Sequence, residues 1–414
     1  MSQTKKVTLA PQYMKSFHCI GSSCEDSCCV GWRVDIDQET YKKYRKIKNE
    51  ELSRLFDNHV KRNRSATKSA ENYAKIKLAA GGACPFLNNE MLCRIQLDHG
   101  EGHLSNVCTT YPRADNMING VLERSATMSC PEAARRALLK QEAMEFDEDT
   151  EAAQVRNIIR HNVNTHATKY ANKPERYLWE FRVFSVTLLQ DRKHELWERL
   201  ITLGIFFDKA QELIRNGKVA ELPGLIISFE TMLEDGSVKK TISNIPVQNT
   251  IQMELLKEIA DNRYLAGVNS HRYIECFGEF LNGINYASNC TVADIGQRYH
   301  DAWENYYEPY MREHEYILEN YLVNYIFKNL FPFTGEETLF DAYMMLVMHY
   351  SLIKMHLIGM AGYHKGLNDS LVIKLIQSFA KTVEHNQKYL REIAAIMKQN
   401  NFNTMAYMAV LIKN

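Results

Sequence analysis

The chain has 414 residues, 45% of them hydrophobic and 24% charged, which is enough for two domains and too apolar for a disordered protein. Fifty basic residues balance fifty acidic ones. That balance excludes the whole-molecule positive field of a general nucleic-acid binder and leaves a protein or a small molecule as partner. The opening Met1-Ser-Gln-Thr-Lys-Lys6 leads into no apolar stretch of the secretory type, so a cytoplasmic location with reduced thiols is expected.

In chain order, the first 146 residues read as short, irregular elements. Trp32-Arg-Val-Asp-Ile36 alternates apolar and polar residues and predicts a short strand. Asp37 is placed to cap a helix from Gln38, with Glu39 in its first turn, running through Tyr41, Tyr44, Ile47 and Leu55. Residues 61–69 read as an exposed loop, 121–128 as a second strand, and Pro131 as the first residue of a helix.

After Asp147 the apolar periodicity lengthens. Leu196, Leu200, Leu203, Phe207, Ala210 and Ile214 predict one helix, stopped at Gly217. Glu221-Leu-Pro-Gly224 and Asp235-Gly236 read as turns. A tyrosine-rich helix is expected from Asp301 through Tyr306, Tyr310, Ile317, Tyr321 and Tyr325 to Leu330, ended by Phe331-Pro332-Phe333. Residues 342–360 and 371–411 supply further helices. The stretch 342–362 has the length of a membrane span, but His349, Lys354 and His356 within it predict a buried helix and no membrane partner. The expected fold is mainly α: a small irregular α+β, cysteine-rich metal domain over residues 1–146, then a larger all-helical domain over 147–414.

Eight of the ten cysteines crowd into the first part: Cys19, Cys24, Cys28, Cys29, Cys84, Cys93, Cys108 and Cys130. In a reducing compartment such a cluster points to a metal site before a disulfide framework. Small and polar spacers between Cys19 and Cys28 suit a loop that wraps a centre, and the adjacent Cys28 and Cys29 point in different directions. Zinc takes four tetrahedral ligands, whereas an iron–sulfur cubane takes four thiolates at looser spacing. Cys24-x₃-Cys28 suits either, and eight thiols could fill one centre with spares or two centres. Arg94 and Arg113 are placed either to neutralise thiolates or to form plain salt bridges, and Trp32 to shield the site from water. His99 and His103 are further ligand candidates, with polar turn residues as the competing reading. No glycine-rich turn between strand and helix announces a conventional nucleotide-type binding site; Asp98-His-Gly-Glu-Gly102 reads as a turn inside the metal domain.

The run Phe17-His-Cys19, Cys24, Cys28-Cys29-Val-Gly-Trp32, Cys84-Pro-Phe-Leu87, Cys93 and Cys108-Thr-Thr-Tyr-Pro-Arg113 resembles the cysteine-cluster proteins described as zinc- or iron-chelating. The long form, with Cys130-Pro-Glu-Ala and a helical second half carrying Leu318-Glu-Asn-Tyr-Leu-Val-Asn-Tyr-Ile-Phe and Phe331-Pro-Phe, looks like the flagellin lysine-N-methylases. The resemblance spans nearly the whole chain. It implies methyl transfer from S-adenosylmethionine to the ε-amines of flagellin lysines, a [4Fe–4S] cluster held among the eight cysteines, and an electron donor of unassigned identity. Cys24-x₃-Cys28-Cys29 departs from the usual radical signature Cys-x₃-Cys-x₂-Cys, which leaves the donor's binding mode open. Asp301, Glu304, Tyr306, Tyr307 and Tyr310 could line a lysine pocket, or be a solvated helix face with a core stripe. Spacing alone equally permits a zinc-stapled, non-catalytic protein that binds a flagellar or other client, and more weakly a metal carrier or redox module. Catalytic and donor-binding residues do not follow from the sequence.

Overall fold

A computed structural model describes residues 6–32, 34–64, 69–151, 156–237, 242, 245–287 and 289–414. The chain separates into two compact units, one of residues 1–117, 121–133 and 146–162, the other of 118–120, 134–145 and 163–414.

The first unit is mixed α+β. Its larger sheet has the order β7-β1-β6-β5-β8, built from β1 (Lys6–Pro11), β5 (Arg113–Ile118), β6 (Val121–Ala126), β7 (Phe146–Glu151) and β8 (Ile159–Val163). β1 runs parallel to β6, with Thr8 opposite Leu122, and antiparallel to β7. Asn119 and Gly120 take φ of 51° and 84°, the two-residue turn that matches strand twist in a β5–β6 hairpin. Arg124 on β6 donates Nε and Nη2 to the two oxygens of Asp115 on β5, each at 2.9 Å. A smaller sheet orders β2 (Asp35–Ile36), β4 (Ala74–Ile76) and β3 (Val60–Arg62).

Short helices connect these strands: α1 (Tyr13–Ser16), α2 (Gln38–Tyr44), α3 (Glu50–His59), α4 (Arg94–His99), α5 (Asn106–Thr110) and α6 (Pro131–Leu138). Asp37 caps α2 as expected, its Oδ1 accepting the Thr40 amide at 2.8 Å, and its Oδ2 also accepts the Asn106 amide at 3.2 Å. One buried carboxylate thus caps α2 and α5. The expected helix through Leu55 instead stops at Tyr44, and α3 restarts where Asn49 accepts the Leu52 amide at 3.0 Å. Of the expected strand at 32–36, Asp35–Ile36 is strand in register with β4, and Val34 O accepts the Ile76 amide at 3.0 Å; residue 33 lies outside the described residues. The expected loop at 61–69 begins as strand, since Lys61 and Arg62 pair with β4; residues 65–68 lie outside the described residues.

The second unit is mostly helical. It holds α7 (Leu178–Leu189), α8 (Leu196–Arg215), α9 (Leu222–Glu234), α10 (Asn249–Leu265), α11 (His271–Gly283), α12 (Val292–Ala302), α13 (Glu308–His314), α14 (Tyr316–Lys328), α15 (Leu339–His364), α16 (Asp369–Phe379), α17 (Gln387–Gln399) and α18 (Met405–Ile412). The small α+β part followed by a large helical part is the expected fold class. α15 is long and apolar enough to cross a membrane, yet its most apolar stretch is entirely buried, as the core reading of 342–362 requires. Three of its polar side chains find carbonyl partners: Nδ1 of His349 sits 2.7 Å from Met345 O, Nδ1 of His356 2.7 Å from Leu352 O, and Lys354 Nζ donates to Ile412 O at 3.0 Å.

Glycines set the approach of α11 to α15. A Cβ on Gly283 would lie 1.7 Å from Gly359 O, and one on Gly362 would lie 2.7 Å from Gly283 O. A carboxylate fixes another corner. Glu319 on α14, 1% exposed, accepts Arg192 Nε and Nη2 at 2.9 and 2.8 Å and Arg199 Nη1 at 2.8 Å. Neighbouring Glu315 accepts Arg199 Nη2 at 2.6 Å and the Leu196 amide at 2.9 Å.

Three expectations in this half are corrected. The long tyrosine helix is interrupted by a π-helical segment, Trp303–Tyr307, where Pro309 has no amide and its ring crowds the carbonyl one turn back, and again at Glu315. The expected helix over 371–411 is likewise divided by a π segment at Ala380–Glu384 and restarts under side-chain caps from Asn386 and Thr404. Glu221-Leu-Pro-Gly224 is no turn: Pro223 lies in the first turn of α9, where a missing amide costs nothing.

Candidate functional site

The cysteines are placed by bridges and helix starts. Cys29 and Cys84 lie side by side: Val30 bridges Ala83, the Cys84 amide donates to Cys29 O at 2.8 Å, and the Gly31 amide to Gly82 O at 2.9 Å. Gly31 and Gly82 both hold positive φ, 86° and 81°, at this crossing, a conformation glycine takes freely. Leu87 bridges Cys93 around a loop in which Asn88 Oδ1 accepts the Glu90 and Leu92 amides at 3.0 and 2.9 Å. Cys93 is the N-cap of α4, and the amides of Gln96 and Ile95 act on its sulfur. Cys108 rides on α5, whose N-cap Ser105 accepts the Cys108 amide at 3.2 Å. Cys130 precedes α6, with the amides of Ala133 and Glu132 on its sulfur. Backbone N–H groups and helix starts favour the thiolate form.

Electrostatics ties seven of the eight thiols together. The Cys29 thiol is pushed far up, first by its contact with Cys28 (Sγ to Sγ 3.9 Å), then by burial, then by the charges of Cys28, Cys84 and Cys108. Burial lifts Cys84 to about 11, against the Phe86 amide, and Cys93 and Cys28 add to the rise. Cys108 goes to about 12 through burial, opposed by Ser105 and reinforced by Cys93, Cys84 and Cys28. Cys130 also reaches about 12 through burial, with Cys24 and Cys28 contributing. Cys19 is exposed. Among the described residues, however, no three His, Cys, Asp or Glu side chains are grouped so as to hold one metal ion. The arrangement is therefore a pool of protonated thiols near one another. Coordination would deprotonate them, as a bound metal does to any ligating thiol.

Around this pool, Trp32 packs on Tyr111 with ring centroids 5.6 Å apart and donates its Nε1 to Cys28 O. Arg94 pairs with Glu51, and Arg113 is exposed and reaches the Thr109 carbonyl. Both arginines thus have plain structural roles. His103 Nδ1 lies 2.9 Å from His99 O, and Gly100 takes the positive φ that ends α4. Of the expected turn at 98–102, Asp98 and His99 instead close α4, and the turn begins at Gly100.

In the helical unit, Tyr307 is core, and Asp301 and Glu304 are exposed. Tyr306 and Tyr310 are half-buried. The sequence reading missed a buried ion pair, Lys328 Nζ to Glu384 Oε2 at 2.7 Å, with Tyr321 donating to Glu384 Oε1 at 2.7 Å. Burial raises the Glu384 carboxyl, but the charges of Lys328 and His349 outweigh it and hold it at about 2. A lysine inside an apolar stretch (Tyr325-Ile-Phe-Lys328) was the available signal; Glu384 gave none, since its π segment breaks the helical period. A cleft of about 540 Å³ lies among Asp208, Arg215, Glu337, Phe340, Asp341 and Lys398, but Lys398 is already paired with Glu337 and Asp341 at 2.9 and 3.0 Å.

The profile of the FliB lysine N-methylase C-terminal domain matches residues 182–411. The chain is 25% identical over 400 residues, 93% of its length and 94% of the relative's, to the lysine-N-methylase of Salmonella choleraesuis, and the same figures hold for that of Salmonella typhimurium. It is also 34% identical over 149 residues to the flagellar biosynthetic protein FliU of Salmonella muenchen, covering 35% of this chain and 85% of that one. No solved structure matches it.

Proposed function

Because this chain belongs to the FliB lysine N-methylase family, we propose that it transfers methyl groups from S-adenosylmethionine to surface lysine ε-amines of flagellin in the cytoplasm, with an iron–sulfur centre held within the thiol pool. The observation that carries this reading is similarity to lysine-N-methylases along 93% of the chain, cysteine-rich part included. We assign residues 1–146 as the cysteine-cluster metal domain and 147–414 as the helical domain of the enzyme.

The ligands would come from Cys24, Cys28, Cys29, Cys84, Cys93, Cys108 and Cys130, with Cys19 in reserve on the exposed loop. The donor set suits the group in its chemistry: several thiols near one another, three of them under backbone amides that steady a thiolate. When bound, a [4Fe–4S] cluster supplies the one-electron chemistry that zinc lacks. The chain's own contribution is to hold Cys93 and Cys130 at helix starts, to fix Cys29 beside Cys84, and to anchor the backbone at Cys28 through the Trp32 indole, which packs on Tyr111.

Protein purified without oxygen is to be analysed for iron, acid-labile sulfide and zinc, then incubated with S-adenosylmethionine and flagellin and the flagellin lysines weighed by mass spectrometry. About four irons and four sulfides per chain, with mass gains in methyl steps, are expected. Stoichiometric zinc without sulfide after reconstitution, and unmodified flagellin, would overturn the reading in favour of a zinc-stapled binding protein.

A further inference from the structure

The helical unit carries half-buried aromatic rings at Tyr306, Tyr310 and His314, spaced four residues apart as neighbours along a helix surface are, followed by Tyr316. The Tyr310 and His314 rings are parallel within 1°, their centroids 4.1 Å apart, and Tyr316 lies 5.8 Å beyond His314. Asp369 closes one side. Its Oδ1 accepts the Tyr310 hydroxyl at 2.6 Å, and its charge also acts on Tyr316. Ring faces beside a carboxylate are the combination that attracts an alkylammonium, bare or methylated.

A cation already lies on this row. The ammonium of Lys365 sits 4.8 Å from the centroid of Tyr306. Lys365 ends α15 with φ of 59°, a left-handed conformation unusual for a side-chain-bearing residue, and its amide donates to Ala361 O. Among the described residues it has no carboxylate partner, so the ring is what its ammonium meets. The π segment Trp303–Tyr307 and Pro309 alter the turn that presents Tyr306 and Tyr310.

We propose that the row Tyr306–Tyr310–His314–Tyr316 with Asp369 is a recognition site for the lysine side chain of the protein substrate, and that Lys365 is an internal occupant which an incoming lysine displaces. The identity of that lysine as a methylation target rests on the proposed function; the site itself rests on the geometry. An exposed cation–ring contact covers the ring most of the time, so freeing it tightens an incoming ammonium about three- to sixfold.

The test titrates N-acetyl-lysine methylamide, its trimethyl-lysine counterpart and the norleucine counterpart into the full chain, with binding followed by ligand-observed NMR. Both cationic probes are expected to bind and the norleucine probe to fail. Lys365→Met should tighten the trimethyl-lysine probe about three- to sixfold. Tyr306→Phe should retain binding and Tyr306→Leu lose it, while Asp369→Asn weakens it. Equal binding of the norleucine probe, or unchanged affinity in Lys365→Met, would overturn the proposal. No methyl donor is present, so a chain that methylates nothing can still pass. An active methylase that binds no probe fails this proposal alone.

Discussion

Replacing Gly283 by alanine should do far more damage than its single methyl suggests. The added carbon would lie 1.7 Å from Gly359 O and 2.7 Å from the Tyr363 nitrogen, both backbone atoms. Carbon and carbonyl oxygen approach no closer than about 3.3 Å, so α11 and α15 must part by more than 1 Å or so. A gap of about 0.5–1 Å already forfeits a quarter to a half of a contact's attraction, and here it would run along a buried helix pair. The expected loss is about 3 kcal/mol, at the upper end for overpacking. For a unit of this size that lowers the melting temperature by about 6–12 °C. Calorimetry of the full chain, with circular dichroism at a helix band, reads the change directly. Gly278 lies on the same helix and provides the opposite case, since a Cβ there meets nothing within 4 Å. Gly278→Ala should therefore stabilise by about 0.5–1 kcal/mol through helix propensity alone. If Gly283→Ala melts within about 2 °C of the parent, the close crossing is not what sets the helix separation.

Asp37→Ala removes the caps of two helices at once and should cost about 2 kcal/mol, with the Thr40 and Asn106 amides losing hydrogen-exchange protection together. Loss at Thr40 alone would show that the second cap contributes nothing. Lys354 gives a pH signature. Burial lowers its pKa from 10.5 to about 7, so the unfolded chain binds a proton that the folded chain releases between those values. Stability should therefore fall as pH drops from about 10.5 towards 7 and stay at the lower level below, a loss on the order of 5 kcal/mol at full extent. Lys354→Met should flatten that slope in urea titrations at several pH values; an unchanged slope would refute the assignment to Lys354.

Features set by neighbouring residues could be read from the sequence. Asp37 before Gln38, Pro131 at a helix start, and the Leu196–Ile214 stripe all have local causes, and each is where its pattern placed it. What the sequence hid depends on partners far along the chain. Asp35–Ile36 is strand only because β4 supplies its edge, and the same Asp37 reaches Asn106, which no local pattern announces. The π segments at 303–307 and 380–384 break the 3.6-residue period, so unbroken apolar periodicity overstated both helices. For the candidate site, cysteine density was legible, but the grouping of Cys29 with Cys84 depends on a bridge between segments fifty residues apart, roughly, and spacing cannot reveal it. Likewise Tyr306 and Tyr310 could be named as lysine-pocket candidates, whereas Lys365 and Asp369 enter from another helix end.

The double arginine grip on Glu319 bears on how the helical unit breathes. Glu319 holds Arg192 and Arg199, and Arg199 in turn holds Glu315, which caps the start of α8 through the Leu196 amide. Arg192 also donates to Gln141 O, so the strap at 134–145 is fastened to the same charge. Arg199 and Glu319, with side chains 2% and 1% exposed, cannot part without stranding a buried charge, and fraying of the corner is therefore suppressed. Amide exchange at the start of α8 and along the strap should proceed in concert, at one common rate of opening, and the corner would act as a single cooperative latch while helix ends elsewhere fray residue by residue.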